Sequence, residues 1–110
     1  MEIRKETIQD VDVLALEGRL DASLAKQLKS QVQDLIGAGR INMVVDLEAV
    51  DFLDSSGLGS LVAALRSVNK LNGDIKLASL QEPVRVIIEL TRLHRVFEIF
   101  GNAAEAVESF

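Results

Sequence analysis

The residues best placed to do chemistry lie in one short run, Asp54-Ser55-Ser56-Gly57-Leu58-Gly59: a carboxylate, two hydroxyls and two glycines at the head of an apolar stripe. Leu58, Leu61, Val62, Leu65 and Val68 follow at intervals of three and four, the period of a helix with one buried face. The run therefore opens a helix, where the first backbone N–H groups lack partners and the positive end of the helix dipole lies. An Asp or Ser side chain there caps the helix, and a phosphate there would accept hydrogen bonds from the same N–H groups. Spacing alone supports both readings, ordinary helix-start chemistry and an anion position. Gly57 and Gly59 carry no Cβ, so the backbone permits close approach by another molecule. Leu58 either begins the core stripe or forms the apolar centre of a partner site ringed by Asp21, Asp54 and Ser56. Phe52 and Leu53, just before the run, read as core packing beneath the turn.

Other chemistries fit poorly. The chain has no cysteine, which excludes disulfides, zinc-thiolate sites and a cysteine nucleophile. Ser55 as a hydrolytic nucleophile would need a base, yet His94 is the single histidine, flanked by Arg92 and Arg95, and there is no Gly-x-Ser-x-Gly elbow. Asp46, Asp51 and Asp54 lack the spacing of an oxygen-rich calcium loop, and Asp46 reads as a solvated strand-end residue. The expectation is a protein that is not an enzyme, with no catalytic residue, metal or cofactor. Lys and Arg number 12 against 17 Asp and Glu, a formal charge of -5 that repels phosphate backbones and anionic headgroups. Neither direct nucleic-acid binding nor membrane binding is expected. Met1 to Glu6 is charged where a signal peptide would be apolar, and no run approaches the roughly 18 apolar residues of a membrane span. A cytoplasmic location follows as the expectation.

The elements that must position the turn are legible from periodicity. With 110 residues, 48% of them hydrophobic, one domain over 1–110 can bury a core without a metal or disulfide. Glu2 to Ile8 and Val11 to Leu16 read as a hairpin with an exposed edge strand. Leu24, Leu28, Val32, Leu35 and Ile36 form a helical face with Asp21 as N-cap and Gly37 and Gly39 at its end. Ile41 to Leu47 is an apolar strand suited to burial on both faces, and Asn72-Gly73 closes the helix that the acidic turn opens. Ile75 to Ser79 reads as a strand, Pro83 as a first-turn residue of a third helix, and Asn102 with Glu105 as a capping box for a last one that Val107 and Phe110 would dock. The order β-β-α-β-α-β-α-α gives an α/β fold: a mixed sheet of four to five strands with about four helices packed mainly on one face. Two βα connections, Gly18-Arg19-Leu20-Asp21 and Phe52 to Gly59, then share the carboxyl edge of the parallel strands, where such folds carry sites.

The stretch Val44-Val45-Asp46-Leu47 through Val50 to Leu61 closely resembles the signature of the STAS domain, specifically of the bacterial anti-sigma factor antagonists. Gly18-Arg19-Leu20-Asp21, Asn72 to Leu77, and Pro83-Val84-Arg85 with Leu93 and Val96-Phe97 extend the resemblance over essentially the whole chain. Thr91-Arg92-Leu93 departs from it, since Arg92 stands where relatives often carry glycine. The resemblance implies a partner-switching regulator. The unphosphorylated form would bind an anti-sigma factor with serine kinase activity and free the sigma factor. Phosphorylation would end the association, and a serine phosphatase would reset it. It implies Ser55 as phosphoacceptor and Asp21 as a partner contact, and Asp54, Ser56, Gly57 and Leu58 at the same helix start complete the expected partner-binding set. The exposed edge strand and acidic surface fit a protein that is a monomer when free. The alternative is a non-phosphorylated STAS interaction module of a stress-signalling or transport complex.

Overall fold

The computed structural model describes residues 2–110. Its elements are β1 (Glu2–Ile8), β2 (Val11–Leu20), α1 (Ala22–Gly37), β3 (Asn42–Leu53), α2 (Ser55–Asn69), β4 (Asp74–Ala78), α3 (Glu82–Leu90), a 3-10 turn (Leu93–Arg95), β5 (Ile99–Phe100) and α4 (Ala103–Glu108). The five strands lie side by side in chain order. β1 and β2 are antiparallel and every later pair is parallel, so the sheet is mixed as expected. Because the strand order never reverses, crossovers of one hand carry α1, α2 and α3 to a single face.

That face holds the main core. Leu14, Leu16, Met43, Val45, Leu47, Ile75 and Leu77 from the strands meet Leu24, Leu28 and Val32 of α1, Leu61, Leu65 and Val68 of α2, and Val84 and Ile88 of α3. The opposite face is smaller: Val11, Val13, Val44 and Ala78 pack under Ala106 and Val107 of α4. Three helices on one face and one short helix on the other agree with the expectation of about four helices packed mainly on one face. β1 is an edge strand whose Glu2, Arg4, Lys5 and Glu6 are exposed, a charged pattern that discourages pairing with further chains.

Two strands run further than the periodicity indicates. β2 continues to Leu20 and β3 to Leu53, so Gly18-Arg19-Leu20 is strand and not loop. The extension crosses two register shifts, at Ala15/Glu17 and at Gly18/Arg19, and Gly18 takes φ 110 there, a conformation open to glycine and strained for other residues. Asp46 accordingly lies within β3, half-buried, with its carboxylate accepting the Glu48 N–H at 3.1 Å; it is not a strand-end residue. β5, two residues long, is the fifth strand, absent from the order read along the sequence. Arg92, in the position where glycine is common, adopts φ 62 all the same.

Among the described residues two charged side chains are buried. Asp12 accepts hydrogen bonds from the Thr7 hydroxyl at 2.7 Å and from Arg40 Nε, pinning the β1–β2 hairpin to the segment that enters β3. Lys76 Nζ, on the α4 face, donates to the Ser109 carbonyl at 3.2 Å and hydroxyl at 2.7 Å, sits 3.3 Å from the Glu98 carboxylate, and lies 4.4 Å from the Phe110 ring centroid. It ties the end of α4 to the sheet.

Candidate functional site

The site forms where β2 and β3 end together. Leu20 pairs with Leu53 as the last register partners of the two strands, so Asp21 and Asp54, one residue on, emerge side by side on neighbouring strands. Each becomes the N-cap of the helix that follows. The Asp21 carboxylate accepts the N–H groups of Ser23 at 3.1 Å and Leu24 at 3.3 Å, and the Asp54 carboxylate accepts the Gly57 N–H at 2.9 Å. Both caps have extended backbone and a short acceptor side chain, the combination that satisfies helix-start donors. A hydrogen bond from the Asp54 N–H to the Leu20 carbonyl at 3.4 Å joins the two connections directly.

Because Asp54 is the cap, Ser55 and Ser56 become the first two residues of α2. Both are exposed, and within the described residues no hydrogen bond engages either hydroxyl. The carboxylate does the capping, which leaves the Ser55 Oγ available to another molecule at the positive end of a 15-residue helix. Asp54 precedes it directly, and Asp21 follows the neighbouring strand end. Leu58 is half-exposed, packing against the main core while still reaching the surface, so both readings of it hold in part.

Gly57 differs from expectation. It is buried, and a Cβ placed on it would lie 2.1 Å from the Leu20 carbonyl oxygen and within 2.9 Å of the Leu20 and Leu53 side chains. The close approach it permits is that of α2 onto the end of β2 within this chain, so Gly57 spaces the site and presents no surface of its own. Gly59 is the exposed one, with no atom within 4 Å of such a Cβ. Phe52 also departs from the expected core position. It is half-buried, and the Arg19 guanidinium, its register partner's charge, lies 3.6 Å from its ring centroid. This stack supports the strand ends from outside and leaves Leu53 as the buried residue of the pair.

The far wall of the site was not legible in the sequence. Ser55, Leu58 and Val62 of α2 line an open groove with Thr91 and Leu93, which arrive from the end of α3 and the 3-10 turn. The third helix was legible in the sequence and the 3-10 turn was not, and which helix would lie beside α2 depends on the sheet order. His94 is exposed on that turn and lies outside the groove lining.

Residues 2–106 match the family model of the STAS domain. The chain is 24% identical over 108 residues to the anti-sigma F factor antagonist of Paenibacillus polymyxa, covering 97% of this chain and 92% of that one. It is 27% identical over 104 residues to the anti-sigma-B factor antagonist of Bacillus subtilis, covering 94% of each. Among solved structures, an anti-sigma factor antagonist from Mycobacterium paratuberculosis superposes with a TM-score of 0.87 at 26% identity, covering 98% of this chain and 92% of that one. Among the described residues no helix is long and apolar enough to cross a membrane.

Proposed function

Since the chain belongs to the STAS domain family, we propose that it is an anti-sigma factor antagonist whose binding is switched by phosphorylation of Ser55. The observation that carries the reading is the division of labour at the start of α2, where Asp54 caps the helix and the Ser55 hydroxyl is exposed and unengaged. The similarity to anti-sigma factor antagonists supports the general role, and the local chemistry supports the switch.

In this account the partner is an anti-sigma factor that is also a serine kinase. It docks on Asp21, Asp54, Ser56 and Leu58, with Gly57 holding the turn against Leu20. A phosphate on Ser55 adds about 1.5 to 2 negative charges at neutral pH beside two carboxylates. A partner complementary to an acidic surface with a small hydroxyl at its centre then meets a larger dianion that keeps its own hydration. The helix start tolerates the phosphate, because the dipole favours negative charge there, so the switch needs no rearrangement of the sheet. A serine phosphatase returns the protein to its binding form, and the protein itself acts in the cytoplasm as a regulator without catalysing a reaction.

The test is a binding titration of the purified anti-sigma kinase against the parent, Ser55→Ala and Ser55→Asp proteins. Ser55→Ala should bind as the parent does, and Ser55→Asp at least about tenfold more weakly, equivalent to about 1.4 kcal/mol. Equal binding by all three would remove the switch and favour a STAS interaction module that is not phosphorylated.

A further inference from the structure

A second surface lies on the other side of α2. Between α1 and α2 runs an open cleft of about 380 Å3, where Ala25, Lys26 and Lys29 of α1 line one side and Ser60, Ala63 and Ser67 of α2 the other. The cleft exists because α2 lines its side only with Ser56, Ser60, Ala63, Ala64 and Ser67, and these small residues leave space above the buried stripes. Its α1 lining runs from Ala22 to Gln33, about 16 Å at the rise of an α-helix, or three turns.

The charge of this face is opposite to that of the molecule. The chain carries a net charge of -5, yet Ala22 to Gln33 and the whole of α2 contain no acidic residue, while Lys26, Lys29 and Arg66 are all exposed. None of these three is in an ion pair among the described residues, whose pairs join Arg40 to Asp12, Lys76 to Glu98 and Arg85 to Glu82. A solvent-facing helix usually covers its outer face with charged side chains, whereas α2 shows Ser56, Gly59, Ala63 and Ser67 there. Lys26 and Lys29, three residues apart, stand on one side of α1 about a turn from each other.

We infer that the α1–α2 cleft is a docking groove for an acidic amphipathic helix of a partner protein, with apolar side chains entering over Ala25 and Ala63 and carboxylates three or four residues apart meeting Lys26 and Lys29. The length of the cleft matches one row of side chains on such a helix, and the lysine pair supplies its register. The proposal goes beyond the Ser55 switch and does not depend on phosphorylation.

The test is a titration of the 15N-labelled full chain with an 18-residue amphipathic helical peptide carrying Leu on one face and Glu on the flanks, followed by amide shifts. Saturable shifts at Lys26, Lys29, Ser60, Ala63 and Ser67 are expected, together with binding about tenfold weaker in Lys26→Glu/Lys29→Glu, whose two rim pairs turn from attraction to repulsion. Ala63→Arg separates groove docking from simple attraction to lysines. It adds a positive charge but fills the cleft, so the proposal expects weaker binding where attraction alone expects tighter. The proposal is overturned by absence of saturable shifts, by equal binding of the peptide with Lys in place of Glu, or by tighter binding to Ala63→Arg. The titration needs neither a kinase nor a phosphate on Ser55, so its outcome is read separately from any failure of the switch.

Discussion

Gly57 and Gly59 stand two residues apart on one helix, and replacing each with alanine should move stability in opposite directions. At Gly57 the new methyl group would lie 2.1 Å from the Leu20 carbonyl oxygen, 2.8 Å from Leu20 Cγ and 2.9 Å from Leu53 Cδ1. The first contact is with backbone and is short of van der Waals separation by more than about 1 Å, so a side-chain rotation cannot relieve it. Either α2 lifts from the sheet or the end of β2 moves, and the Asp54 N–H to Leu20 bond stretches in both cases. Overpacking of this kind costs about 1 to 3 kcal/mol, and a backbone obstacle places Gly57→Ala near 3. For a domain of this size that is a fall in Tm of about 12 to 15 °C. At Gly59 the methyl group meets nothing within 4 Å, and the position is helical, so Gly59→Ala should gain about 0.5 to 1 kcal/mol from lower backbone entropy in the unfolded chain. Its Tm should rise by about 2 to 5 °C. Thermal unfolding followed by circular dichroism reads both. A Gly57→Ala protein melting within about 3 °C of the parent would refute the packing of α2 against Leu20, and a Gly59→Ala protein melting below the parent would refute the open helical position assigned to Gly59.

Two further substitutions test the buried charges. Asp12→Ala leaves the Arg40 guanidinium without its carboxylate, and Arg40 Nη2 is already buried without a partner. Because the Arg40 side chain is 35% exposed, the cost should fall below that of a fully buried pair, at about 2 to 3 kcal/mol in urea unfolding. Lys76→Met keeps the stem and removes the tie to Ser109 and Glu98. Global stability should change by less than about 1 kcal/mol, while amide exchange at Ala106 to Ser109 should quicken about tenfold, since only the anchor of α4 is lost.

The parts of the fold visible in the sequence are those whose signal is local. Asp21 and Asp54 each precede an apolar stripe, and both turn out to be caps; Asn102 likewise caps α4 by accepting the Glu105 N–H at 2.9 Å. Leu24, Leu28, Val32 and Leu35 declare a helix face because α1 buries a single side. β3 beyond Leu47 was not legible for a definite reason. β4 pairs only with Asn42 to Asp46, so the second half of β3 has β2 alone as neighbour, and its register shifts break the alternation that marks a strand. β5 is too short to show any period. At the site, the chemistry of the turn could be read, but the burial of Gly57 could not, because spacing cannot tell a glycine that admits a partner from one that admits the chain's own strand. The groove wall from Thr91 and Leu93, and the cleft above Ala25 and Ala63, come from which helices the sheet order sets side by side.

Site-resolved mass spectrometry tests Ser55 as the phosphoacceptor most directly. The parent and Ser55→Ala proteins would be incubated with Mg-ATP and a lysate of the source cell shown to contain an active serine kinase of this type. The prediction is one phosphate on Ser55 of the parent and none on the variant. Phosphate entering Ser56 or another residue in both proteins, or no phosphate on this turn at all, would contradict it.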